Sequence, residues 1–183
     1  MNELNYMVGD ASLPEVEGHK IIVHVCNDLG MWGSGFVLSL RKNHPISETN
    51  YRVWAQNKDK NYPFKLGEVQ FVQVDNVTWV ANMIAQHGIY KKNGIPPIRY
   101  DALETCLNKV LDYSLKLNSP TIHMPRIGCG LAGGRWHVVE DIIKKTLCEN
   151  LSVFVYDLKE KLNLKSTNPS RINKKNAKIV SIE

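Results

Sequence analysis

The chain contains no apolar run approaching the ~20 residues needed to cross a bilayer, so no membrane span is expected. Cysteine is sparse: Cys26, Cys106, Cys129 and Cys148 are widely separated. No C-x-x-C pair or Cys/His cluster has metal-ligand spacing, so neither a metal site nor a cofactor is called for. Free thiols in a reducing cytoplasm are the expected state. Residues 1–5 carry no basic patch followed by an apolar stretch, so no secretory signal is expected. Internal repeats are also lacking.

An overall excess of acid or base is missing from most of the chain as well. The formal net charge is +5, but residues 159–183 hold seven Lys/Arg against two Glu. The remainder has 16 residues of each sign and is neutral. The basicity therefore belongs to the tail, and residues 1–158 have no overall excess to attract a polyanion.

What is present is a chain of 183 residues, 43% apolar, enough for one domain with a substantial core. Residues 4–8 read as a short strand closed by Gly9-Asp10. Residues 21–26 are rich in β-branched side chains and read as a buried strand. Residues 36–42 read as a short helix. Residues 67–74 and 78–84 read as two strands joined by a turn at Asp75-Asn76. Within residues 99–118, Leu103, Cys106, Leu107, Val110, Leu111 and Leu115 lie at helical spacing. Residues 121–124 form a strand ended by Pro125, Val139, Ile142, Ile143 and Leu147 mark another helix, and residues 153–156 a last strand. Strands alternating with helices predict an α/β fold, a central mixed sheet with helices on both faces. Residues 1–158 form the expected domain, and the polar, basic residues 159–183 the expected mobile tail.

In open sheets of this kind ligands bind beyond the carboxyl ends of the strands, and two glycine-rich segments fall there. The first runs from Asn27 and Asp28 through Gly30, Trp32, Gly33, Ser34 and Gly35. Its glycines let the backbone approach a ligand, and the helix that follows favours an anion. No Gly-Lys-Ser/Thr follows, so it is not a Walker loop, and the spacing is not the dinucleotide fingerprint. The second, residues 125–136, holds Ile127, Gly128, Cys129, Gly130, Leu131 and Ala132, a second potential anion nest. Two such loops at one sheet edge suit two adjacent phosphates.

Met124-Pro-Arg-Ile-Gly-Cys-Gly-Leu131, followed by Trp136, closely resembles the signature of macrodomains in the terminal ADP-ribose glycohydrolase and yeast ADP-ribose-1''-phosphate phosphatase branch. Val8-Gly9-Asp10, His24-Val-Cys-Asn27 and Trp32-Gly-Ser-Gly35 resemble other family segments in the family's order. The resemblance covers about residues 5–158. It implies a three-layer α/β/α macrodomain that binds ADP-ribose or a derivative, with an ADP-ribosylated protein or nucleic acid as a further partner. Asp10 would accept from the adenine amine or cap a turn. Asn27 would hold ribose hydroxyls or form an Asx-turn. The second loop would cradle the diphosphate. Tyr156 would flank the adenine or lie in the core, and Trp32 would cover the ligand or pack under its loop.

The glycohydrolase branch uses a lysine and an aspartate where Gln86 and Ala132 stand, and neither residue can act as nucleophile or base. The remaining candidates for chemistry are His87, which follows a strand and can act as acid or base near neutral pH or simply satisfy a backbone group in its loop, Asp28, which could orient water or hold the loop's turn, and Asn27, which could orient water. His24 and His123 fall on strands and are expected to be packed. The expectation is a cytoplasmic monomer that hydrolyses a bond at C1'' of the distal ribose, either of ADP-ribose 1''-phosphate or of an ADP-ribosyl ester. The alternative is a reader that binds without turnover.

Overall fold

The computed structural model describes residues 3–57 and 61–159. Six strands form one sheet: β1 (Asn5–Val8), β2 (Lys20–Asn27), β3 (Val69–Gln73), β4 (Thr78–Gln86), β5 (Thr121–Pro125) and β6 (Val153–Asp157). Their spatial order is β1-β6-β5-β2-β4-β3. Neighbours run parallel from β1 to β4, and β3 is antiparallel to β4. The carboxyl ends of β1, β6, β5, β2 and β4 therefore share one edge. The mixed sheet expected from the sequence is present, and most of the tail lies outside the described residues.

Helices α1 (Val37–Asn43) and α2 (Pro45–Gln56) cover one face, and α3 (Tyr100–Lys116) and α4 (Trp136–Thr146) the other. Alternation along β2 decides what each face receives. Ile21 and Val23 join the α3/α4 core with Met83, Leu103, Leu107 and Ile143. Ile22 and Cys26 join the α1/α2 core with Trp32, Leu40, Tyr51 and Trp54. β4 is buried along eight of its nine residues, as suits a strand covered on both faces.

Helix α2 has no counterpart in the sequence reading. Its buried residues are Ser47, Tyr51 and Trp54, too short an apolar stripe to stand out as a period. Pro45 at its first turn is a start signal, because proline there loses no intrahelical hydrogen bond. The β2–β4 ladder also slips. Cys26 faces Ile84 but Asn27 faces Gln86, so Ala85 is an extra residue on β4, a β-bulge at the carboxyl edge.

Candidate functional site

The loop after β2 is organised around Asn27. Its Oδ1 accepts from Leu29 N at 3.0 Å and Met31 N at 3.1 Å, and its Nδ2 donates to Met31 O at 2.7 Å. Tyr51 of α2 donates its hydroxyl to Asn27 O at 2.5 Å. The Asn27 side chain is thus spent on its own loop, the Asx-type role. Tyr51, buried and aimed at the end of β2, is a site-shaping residue that the sequence reading missed. No local signal marks it, since its contact depends on how α2 packs.

Trp32 lies beneath the loop. It is buried, donates Nε1 to Val37 O at 2.9 Å and packs edge-on against His24. Of the two roles expected for Trp32, this burial fits packing under the loop: an indole enclosed by α1 and β2 would empty core volume if it swung over a ligand. Gly33, Ser34 and Gly35 are exposed beyond it.

The second loop folds back on itself, with Gly133 N donating to Gly130 O and Gly134 N to Gly128 O. It leans on residues 96–98: Ile98 N donates to Ala132 O, and a Cβ at Gly128 would meet Ile98 Cδ1 at 2.8 Å. Arg126 anchors the loop's start. Its guanidinium makes two 2.7 Å hydrogen bonds to Asp157 and lies over the rings of Tyr6 and Trp136. Ile127 and Ala132 are buried, whereas Gly130 and Leu131 are exposed. Cys129 is half-buried, and burial pushes its thiol up to about 11, so it is not a thiolate at neutral pH. Leu131 reaches across to the first loop: its Cδ1 lies 3.9 Å from an ideal Cβ on Gly35.

Two features of these loops have no explanation within the fold. The backbone N–H groups of Gly33–Gly35 and Gly130–Ala132 find no acceptor among the described residues. Among the described residues, Gly33 and Gly130 are also the only glycines with neither a positive φ nor any atom within 4 Å of an added Cβ. One lies on each loop. The surrounding sequence is free of acid as well, with no Asp or Glu in residues 29–47, 76–100 or 113–139.

At the ends of β2 and β4, His87 Nδ1 lies 2.7 Å from Asp28 Oδ2, and Gly88 N donates to Asp28 Oδ1 at 2.8 Å. His87 is exposed and Asp28 largely covered. His24 and His123 are packed, as expected. Burial lowers each to about 4, and both rings are engaged, His24 with Asn82 and Cys26, His123 with Thr121 and Tyr156. Tyr156 is buried, with its hydroxyl 2.9 Å from His123 Nδ1. Asp10 caps a turn through Oδ1, which accepts from Ser12 N at 2.9 Å, and its Oδ2 has no partner among the described residues. Gln86 turns back to donate to Gly88 O at 3.0 Å, and Lys91 and Lys92 are exposed in the following loop. Among the described residues, no three His, Cys, Asp or Glu are grouped to hold a metal ion. All four cysteines are free, and no helix among the described residues is long and apolar enough to cross a membrane.

Residues 23–143, from within β2 to within α4, match the model of the Macro domain family. The chain belongs to that family. Among solved structures, the macrodomain is 50% identical to a Bacteroides thetaiotaomicron protein of unknown function, with a TM-score of 0.82 over 86% of this chain and 99% of that one. It is 48% identical to a macrodomain protein from Streptomyces coelicolor, with a TM-score of 0.74 over 85% and 99%. Among curated relatives, it is 31% identical to the Danio rerio chromodomain-helicase-DNA-binding protein 1-like over 79% of this chain, but spans only 14% of that protein. It is 25% identical to the ADP-ribose 1''-phosphate phosphatase of Meyerozyma guilliermondii, over 79% of this chain and 94% of that one.

Proposed function

We propose that this macrodomain binds ADP-ribose and hydrolyses a bond at C1'' of the distal ribose, with ADP-ribose 1''-phosphate as the leading substrate. The observation that carries the reading is the pair of glycine-bearing amide runs, Gly33–Gly35 and Gly130–Ala132, on loops that meet at Leu131 and Gly35. Unpaired, consecutive N–H groups form concavities for anions, and the absent side chains leave the backbone open to close approach. Two such runs suit a diphosphate. The Meyerozyma relative, named for this phosphatase activity, supports the choice of substrate.

In this reading Asp10 offers its free Oδ2 to the adenine amine, and Tyr156 stays in the wall beside it. Gly30, Gly33, Ser34 and Gly35 wrap the distal ribose and a phosphate, and Ile127–Ala132 cradle the diphosphate. Asn27 shapes the first loop rather than touching the ribose. Rate comes from positioning and from amides that need no reorganisation as charge develops, with His87 supplying acid–base chemistry. The site works in a monomer, and the cytoplasm, where nucleotide-derived substrates occur, is its proposed compartment.

Calorimetry with ADP-ribose, followed by incubation with its 1''-phosphate, tests the proposal. A saturable 1:1 isotherm and release of inorganic phosphate are expected. Binding without release would make the domain a reader of ADP-ribose or ADP-ribosylated macromolecules, the alternative that the Gln86 and Ala132 replacements favour. Absence of binding would remove both readings.

A further inference from the structure

The geometry points to Asp28 as a positioning residue that holds the His87 ring with its proton on Nδ1, so that Nε2 is the base that activates the attacking water. This rests on the hydrolytic reading and assigns the roles within it.

Both Asp28 oxygens are occupied: Oδ2 faces His87 Nδ1 at 2.7 Å and Oδ1 accepts from Gly88 N at 2.8 Å. An aspartate so engaged has little left with which to place a water. It does have what is needed to fix an imidazole, because an ionised carboxylate only accepts and so requires the hydrogen on Nδ1. The Nε2 lone pair is then free. Among the described residues, Asp28 is the only charged side chain in hydrogen-bond or ion-pair contact with His87.

The backbone on both sides is pinned. Asp28 N donates to Gln86 O at 2.9 Å, and His87 N donates to Pro97 O at 2.9 Å. Tyr51 fixes the Asn27 carbonyl one residue earlier. The pair therefore bridges the β2 and β4 ends as a preset unit at the carboxyl edge that carries both amide runs. Neither strand histidine can replace it. His24 and His123 are buried and use both ring nitrogens, whereas the His87 side chain is 59% exposed.

For the 1''-phosphate, water oxygen bonds to phosphorus as the P–O1'' bond breaks. The water proton passes to Nε2 and then to the departing O1'', giving ADP-ribose and inorganic phosphate.

The test pairs turnover with a direct reading of the ring in the full chain. Nitrogen-15 NMR of His87 should show the Nδ1–H tautomer in the wild type. Asp28→Asn can still accept from Gly88 N while its amide donates to Nδ1, which moves the proton to Nε2 and removes the base. That variant should lose about 100-fold or more in kcat, the usual worth of a general base, with KM little changed. His87→Ala should lose as much and recover part of it with added imidazole, which a purely structural staple would not do. It also serves if Asp28→Asn does not fold. Phosphate release that tracks a basic group in the wild type and loses that pH limb in His87→Ala supports the assignment. Wild-type kcat in either variant, or an Nε2–H tautomer in the wild type, overturns it. A wild type that binds ADP-ribose but releases no phosphate overturns the base role together with the hydrolytic reading, whatever the tautomer.

Discussion

A methyl group placed at position 130 should separate the ligand's requirements from those of the fold. Gly130 has no positive φ, and an added Cβ meets nothing within 4 Å. Gly130→Ala should therefore fold at least as well as the wild type, with a gain of about 0.4–1 kcal/mol from the stiffer unfolded chain. For a domain of this size that is a rise of roughly 1–4 °C in Tm. Gly128→Ala is the control. Its φ of +68° and the Ile98 Cδ1 at 2.8 Å oppose a side chain. The left-handed backbone alone costs roughly 1–2 kcal/mol, and displacing Ile98 adds to it. Its Tm should fall by about 4 °C or more. Binding should follow a different pattern. If the diphosphate lies on the 130–132 amides, the methyl group holds it off one or two charge-assisted hydrogen bonds worth about 1.5–3 kcal/mol each. The Kd for ADP-ribose should then rise at least tenfold in Gly130→Ala, and Gly130→Glu should abolish binding. Thermal melts and calorimetry on the same samples supply both readings. An unchanged Kd in Gly130→Ala and in its counterpart Gly33→Ala would show that the ligand does not pass over these glycines.

Three other outcomes are expected. Tyr51→Phe removes the hydroxyl that bonds to Asn27 O and should cost about 1 kcal/mol in a denaturant titration, while weakening ADP-ribose binding through a looser first loop. Arg126→Lys keeps the charge but loses the two-point hold on Asp157 and the stacking on Tyr6 and Trp136, so it should destabilise by about 1–2 kcal/mol in the same titration. Acid should weaken the fold from about pH 6.5 downward. His24 and His123 sit at about 4 in the fold against 6.5 unfolded, so the unfolded chain takes up protons first. Their contribution is whole above pH 6.5 and declines by about 1.4 kcal/mol per histidine per pH unit down to about pH 4. A chemical-denaturation midpoint that stays level across that window would contradict their buried, neutral state.

The strand and helix alternation was legible because β2, β4 and α3 bury long, regular stretches, and periodicity reports burial. Helix α2 was not, because only three of its residues face the core and one of them is Ser47. The glycine loops could be found from composition, since dense glycine beside structured segments marks special backbone. Which glycines serve the fold and which leave space could not be read from the sequence. Gly128 and Gly130 are two residues apart and differ in backbone conformation and in what surrounds them. The same limit applies to side chains. Asn27 can both donate and accept, and the structure spends that ability inside its own loop. Asp28 and His87 were separate candidates, 59 residues apart, and only the pairing of β2 with β4 makes them neighbours.

The slip at Ala85 gives β4 a phase that cannot drift. His87 leaves directly from the end of that strand, so one more or one fewer residue between Ile84 and the histidine would change where its ring starts relative to Asp28. Counting residues from Ile84 to the histidine is therefore a simple way to ask which members of the family can form this pair.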